Sequence, residues 1–172
     1  MNLTESWIGD KPLVPPCGLF GKGQRILLAE DDDDMRATLA LALRRDGFEV
    51  SEARNGLELL DKVAPWLGGQ EPPEPIDAIV SDIQLPCFSG MEILEGLSEL
   101  RRRPPVILIT AFGDPHLHAA ARSLGASAVF EKPFDLDDLR SALFNLKDSA
   151  KDSAKDSAKD SAKDAPGFDG GF

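Results

Sequence analysis

The chain has 172 residues, enough for one domain with extensions, and 42% of them are hydrophobic, which supports a packed core. Its 30 acidic residues outnumber 19 basic ones, and the formal net charge of -11 disfavours direct binding to nucleic acid or to an anionic membrane. Glu5, Asp10 and Lys11 stand among prolines with no continuous apolar stretch, so neither a signal peptide nor a membrane span is expected, and the cytoplasm is the simplest location.

Residues 1–23 are rich in Pro and Gly without periodicity and read as a flexible leader. An apolar strand, Arg25 to Ala29, then ends at the acidic pair Glu30-Asp31. A helix is predicted from about Asp34 to Asp46, with Met35, Leu39, Ala42 and Leu43 on one face and Gly47 closing it. The second strand, Phe48 to Ala53, is half polar, as suits a position near the sheet edge. Asn55 can cap a helix that carries Leu57, Leu60 and Val63 up to Pro65. Residues 68–75 read as a surface insertion.

The third strand, Ile76 to Ser81, delivers Asp82 just before Ile83-Gln84-Leu85-Pro86. Gly90 to Leu100 reads as a helix, with Arg101, Arg102 and Arg103 favouring its C-terminal dipole end. Val106 to Ile109 leads to Thr110, and Asp114 can cap a helix from Pro115 to Leu124 that Gly125 closes. His116 and His118 are two apart, do not share a face, and read as surface residues. Ala128 to Glu131 leads to Lys132-Pro133, and a last helix starts near Asp135 and uses Leu136, Leu139, Leu143 and Leu146. Cys17 and Cys87 are far apart and belong to no metal motif. A disulfide is not expected, and Cys87 reads as a small buried or half-buried thiol.

Alternating strands and helices of this length predict a doubly wound α/β fold around a five-stranded parallel sheet. Its strand ends bring acid, acid, hydroxyl and amine to one edge. Taken singly these residues are bland: a solvated acidic run with a helix cap, a turn former, a strand-end hydroxyl and a surface lysine. Taken together, ILLAEDD, SDIQLP with Gly90 downstream, ITAFGD and EKPFD resemble, in order and spacing, the receiver domain of two-component response regulators from about Gln24 to Lys147.

The resemblance implies strand order 2-1-3-4-5, with the functional crevice where strands one and three meet. It implies that Asp82 accepts a phosphoryl group beside a magnesium ion. The ion would be held by Asp31, Asp82 and the backbone carbonyl of Gln84, with Glu30 holding a coordinated water. Three crowded carboxylates should leave the pocket poorly protonated and receptive to a hard cation. In the same resemblance Lys132 offers its ammonium to the carboxylate and then to the phosphoryl group. Thr110 moves inward to bind another phosphoryl oxygen, Ala111 leaves room for it, and Pro133 follows a cis peptide bond. Asp33 and Asp34 are left as capping and surface charge.

The implied donor is a sensor histidine kinase or a phosphotransfer protein. The implied output is a protein contact, or a homodimer, through the face made by helix four, strand five and helix five. Val129 occupies the place where relatives often have a switching Tyr or Phe, so Phe112 or Phe130 is expected to carry any rearrangement. Residues 148–172 repeat Lys-Asp-Ser-Ala, cannot build a core, and read as disordered or as an extended helix. A stand-alone receiver is therefore expected. Two other readings compete. One is a haloacid-dehalogenase-like phosphatase with Asp31 as nucleophile, Asp33 as acid and Asp137 or Asp138 for magnesium. It leaves SDIQLP unexplained and has Met35 where that family has Thr or Val. The other is a binding module that no longer uses phosphate.

Overall fold

The computed structural model describes residues 23–70 and 73–146. The N-terminal extension with Cys17 and the repeat tail lie outside these residues. Five parallel strands, β1 (Arg25–Ala29), β2 (Glu49–Ala53), β3 (Ala78–Asp82), β4 (Val106–Thr110) and β5 (Ala128–Glu131), form one sheet in the order β2-β1-β3-β4-β5. The helices between them are α1 (Asp33–Arg45), α2 (Gly56–Leu67), α3 (Gly90–Ser98) and α4 (Pro115–Ser123), and residues 136–146 form a fifth, α5.

Strand alternation divides the interior in two, because successive side chains point to opposite faces. Leu27, Ile79 and Leu108 enter one core with Leu59 and Val63 of α2, Leu94 and Leu97 of α3, and Ala121 of α4. Ile26, Leu28, Val80, Ile107 and Ile109 enter the other with Leu39 and Leu43 of α1 and Leu139 and Leu143 of α5. β3 and β4 are buried along their whole length, whereas β2 at the edge is mostly half-exposed, in keeping with its polar sequence.

Several local expectations need correction. Asp32 rather than Asp33 or Asp34 caps α1, accepting the Met35 N–H at 2.8 Å. Asn55 does cap α2, but that helix continues past Pro65 to Leu67. Packing outweighs the hydrogen bond that the proline forfeits, because Trp66 in this last turn rests on the first core. α3 stops at Ser98, and Arg103 serves a different helix from the one predicted. Its Nη2 donates to the carbonyls of Leu124 and Gly125 at 3.3 and 3.1 Å, at the C-terminal end of α4, where a cation is equally favoured. His116 is exposed, and His118 is half-buried, with its Nε2 enclosed and without a hydrogen-bond partner among the described residues.

Candidate phosphoacceptor site

The acidic corner is built by three strand ends. β1 runs straight into Glu30, whose N–H donates to the Ala53 carbonyl of β2 at 3.1 Å and whose side chain is buried. Asp31 follows and is exposed. Asp82 ends β3 and is 4% exposed. Each of the three offers a carboxylate oxygen, and these oxygens lie within 4.8 Å of one another. Such an all-oxygen donor set suits a hard divalent cation rather than a soft one.

Lys132 supplies the balancing charge. β5 extends beyond Glu131 so that the Lys132 N–H donates to Thr110 O at 2.7 Å, and the Lys132–Pro133 peptide bond is cis. The Nζ donates to Asp82 Oδ2 at 2.5 Å and to Glu30 Oε2 at 2.8 Å. Asp82 Oδ1 accepts the Gln84 N–H at 2.6 Å, so both oxygens of this carboxylate are held. Gln84 thus touches Asp82 through its amide.

Burial pushes the Glu30 carboxyl above its ordinary pKa, and the nearby Asp82 charge adds to this while the Lys132 hydrogen bond opposes it. The direction is that of a deeply enclosed carboxylate, which loses more hydration than one ammonium returns. For Lys132, burial works against the charge, but the hydrogen bonds to Asp82 and Glu30 outweigh it and the pKa is raised.

The loop after Asp82 is locked in place by close backbone approaches. Gly90 donates its N–H to Ile83 O at 3.0 Å, and a Cβ on it would lie 2.4 Å from the Asp82 carbonyl. Gly56 at the start of α2 donates to Pro86 O at 2.9 Å. Cys87 adopts a left-handed φ of 74° and is exposed, not the buried or half-buried thiol expected. Gly56 did not stand out in the sequence pattern, since close approach of α2 to a loop 30 residues on leaves no local trace.

On the other side of the pocket Thr110 is fully buried and its hydroxyl is occupied. Oγ1 accepts the Phe112 N–H at 3.1 Å and donates to the Phe112 carbonyl at 3.2 Å. Ala111 is exposed, and Phe112 is 61% exposed. Val129 and Phe130 point to opposite sides of the sheet. Val129 packs with the α2–α4 core and Phe130 with the α1–α5 core, where its ring centroid lies 5.7 Å from that of Phe134. Phe130 therefore faces away from α4, whereas Phe112 lies in the exposed loop that leads into α4.

Asp33 is bonded to Arg36 and Asp137 to Arg140, and none of Asp33, Asp137 and Asp138, the further acids of the phosphatase reading, joins the cluster of Glu30, Asp31 and Asp82.

The response regulator receiver domain profile matches residues 26–144, and the chain belongs to that family. It is 32% identical over 120 residues to sporulation initiation phosphotransferase F of Bacillus subtilis, covering 70% of this chain and 90% of that protein. It is 34% identical over 116 residues to the response regulator receiver protein CpdR of Brucella abortus, covering 67% and 90%. Other relatives are longer: the chain spans 23% of the regulatory protein AtoC of Escherichia coli. Among solved structures, a response regulator receiver domain from Clostridium thermocellum superposes with a TM-score of 0.65 at 27% identity, over 74% of this chain and 97% of that one. The response regulator TrrA of Thermotoga maritima, solved with Mg2+ and BeF, gives 0.60 at 26% identity, over 72% and 98%. The protein is thus a two-component receiver, a signalling domain that accepts a phosphoryl group on an aspartate. Among the described residues no helix is long and apolar enough to cross a membrane.

Proposed function

We propose that Asp82 is the phosphoacceptor. The observation that carries this is its position: a buried carboxylate at the end of a central strand, gripped by Lys132 Nζ and the Gln84 amide and sharing its corner with Glu30 and Asp31. A carboxylate oxygen of Asp82 attacks phosphorus, the P–N bond of a donor phosphohistidine breaks, and the imidazole nitrogen leaves with the electron pair. Holding both Asp82 oxygens fixes the nucleophile's orientation before the donor arrives. As charge grows on the transferring group, Lys132 is close enough to follow it from carboxylate to phosphoryl oxygen.

A magnesium ion held by Asp31, Asp82 and the Gln84 carbonyl, with Glu30 behind it, would supply charge neutralisation during transfer. The three clustered carboxylates support that assignment. Thr110 is the switch residue, and it must release Phe112 to reach a phosphoryl oxygen. The donor is a sensor histidine kinase or a phosphotransfer protein in the cytoplasm. The output is a phosphorylation-dependent contact, with a partner protein or a second copy, through the α4–β5–α5 face. Incubation with acetyl phosphate and Mg2+ followed by peptide mapping tests the assignment. One phosphate on Asp82, lost in Asp82→Asn, is expected. Phosphate on Asp31 would overturn it.

A further inference from the structure

Arg36 is a charged residue buried in α1 that the phosphoryl-transfer chemistry does not use. Its side chain is 7% exposed. Burying a guanidinium is costly unless its donors are matched, and here all three donor groups find acceptors, one of them the backbone at the acidic corner. Nη1 donates to the Glu30 carbonyl at 2.8 Å, Nη2 pairs with Asp33, and Nε lies 3.4 Å from Glu52 Oε2 on β2. Glu52 is itself held by Arg44 at 2.7 Å.

The Glu30 carbonyl belongs to the same rigid peptide plane as the Asp31 N–H. Fixing that oxygen fixes the plane from which the Asp31 side chain departs. The Glu30 side chain is held separately by Lys132 at 2.8 Å, and two further backbone N–H bonds of this segment are longer: Glu30 N–H to Ala53 O at 3.1 Å, and Asp32 N–H to Glu30 Oε1 at 3.3 Å. Packing α1 on the sheet would need only an apolar side chain at this position, as Leu39 and Ala40 provide one turn further on and Leu43 two turns on.

We propose that Arg36 is a positioning residue for the divalent-cation site: its forked guanidinium clamps the Glu30–Asp31 peptide, with Glu52 orienting the fork, so that Asp31 is presented to the ion in advance. This rests on the reading that Glu30, Asp31 and Asp82 bind a cation. A positive charge beside a cation site opposes binding by Coulomb repulsion, so the two possible roles of Arg36 predict opposite signs. If Arg36 acted through charge alone, Arg36→Met would tighten Mg2+ binding and Arg36→Lys would leave it unchanged. If it acts by positioning, both substitutions loosen binding, because lysine keeps the charge but cannot span three acceptors.

Calorimetric titration of Mg2+ into the full chain measures this, with denaturation midpoints recorded alongside. For both variants the Mg2+ Kd should rise on the order of 10-fold, the lower end for loss of a residue that supports a metal ligand. Arg36→Lys, the milder change, keeps the test open if the methionine variant fails to fold. An unchanged or lower Kd in a folded variant would overturn the positioning role. Asp31→Asn should abolish binding, and a wild-type protein that takes up no Mg2+ would overturn the cation site and this inference together.

Discussion

A β-carbon on Gly56 would fall 1.8 Å from the carbonyl oxygen of Phe88. The start of α2 is therefore pressed against the backbone of the loop that follows β3. Gly56→Ala cannot be absorbed by moving a side chain, since the obstacle is main chain. It should cost about 2–3 kcal/mol in urea denaturation, in the range of severe overpacking. It should also slow Asp82 labelling by acetyl phosphate. A variant with wild-type stability would show that the loop moves freely.

Cys87→Gly should stabilise the protein by about 0.5–1 kcal/mol. The left-handed backbone there penalises a β-carbon, and the relief exceeds the extra freedom glycine gives the unfolded chain. The urea midpoint reads this directly. A loss of stability would mean that the exposed thiol makes a contact that matters more than its backbone.

Glu30→Gln should stabilise the cation-free protein at neutral pH by about 1 kcal/mol, a common gain when a site built for function is relaxed, and should weaken Mg2+ binding. Because the folded pKa of Glu30 is raised, the folded state holds this proton more tightly than the unfolded chain. The wild type's penalty is full above the folded pKa and fades as pH falls toward the unfolded value. The stability difference between the two proteins should shrink over that window. A pH-independent difference would exclude the buried charge as its cause.

Lys132→Met has the opposite sign. Removing the ammonium leaves two facing carboxylates uncompensated and should cost about 2 kcal/mol at neutral pH, less than for a fully enclosed pair because the lysine is partly open to solvent. The raised lysine pKa means that its stabilisation is full below the unfolded value and disappears as pH rises through the folded one. Variant and wild type should therefore converge at strongly alkaline pH, provided that both remain folded there. Labelling of Asp82 should fall steeply in the variant.

Thr110→Ala should leave Asp82 labelling largely intact and blunt the response of the α4 side. Amide chemical shifts of α4 and β5, with and without acetyl phosphate, are the readout. Full wild-type shifts in the variant would remove Thr110 from the relay. The substitution also frees Phe112, so the unphosphorylated spectrum should already differ around residues 111–113.

What could be read from the sequence follows from where each signal is stored. β1, β3 and β4 announce themselves as apolar runs because both faces are covered, and Asn55 and Asp114 sit at fixed offsets from the helices they cap. The placement of Glu30, Asp31, Asp82, Thr110 and Lys132 at neighbouring strand ends was legible because strand ends converge in a parallel sheet. Arg36 was not, since an arginine at a core-facing helical position looks like an imperfection in the apolar stripe until its Glu30 partner is seen. Arg103 misled for a related reason: its neighbour in sequence was α3, but its neighbour in space is the end of α4. Pro65 misled because local backbone preference was overridden by burial of Trp66.

The separation of the interior by the sheet bears on how substitutions combine. Leu39 and Leu94 lie in different cores, divided by strands whose side chains alternate between them. Energetic effects of residues that share no neighbours add, typically to within about 0.5 kcal/mol. Truncations on the α1–α5 side and on the α2–α4 side should then behave as independent debits, whereas pairs within one core should show coupling. The same independence lets substitutions accumulate on the α1–α5 side without disturbing the packing of the α2–α4 side.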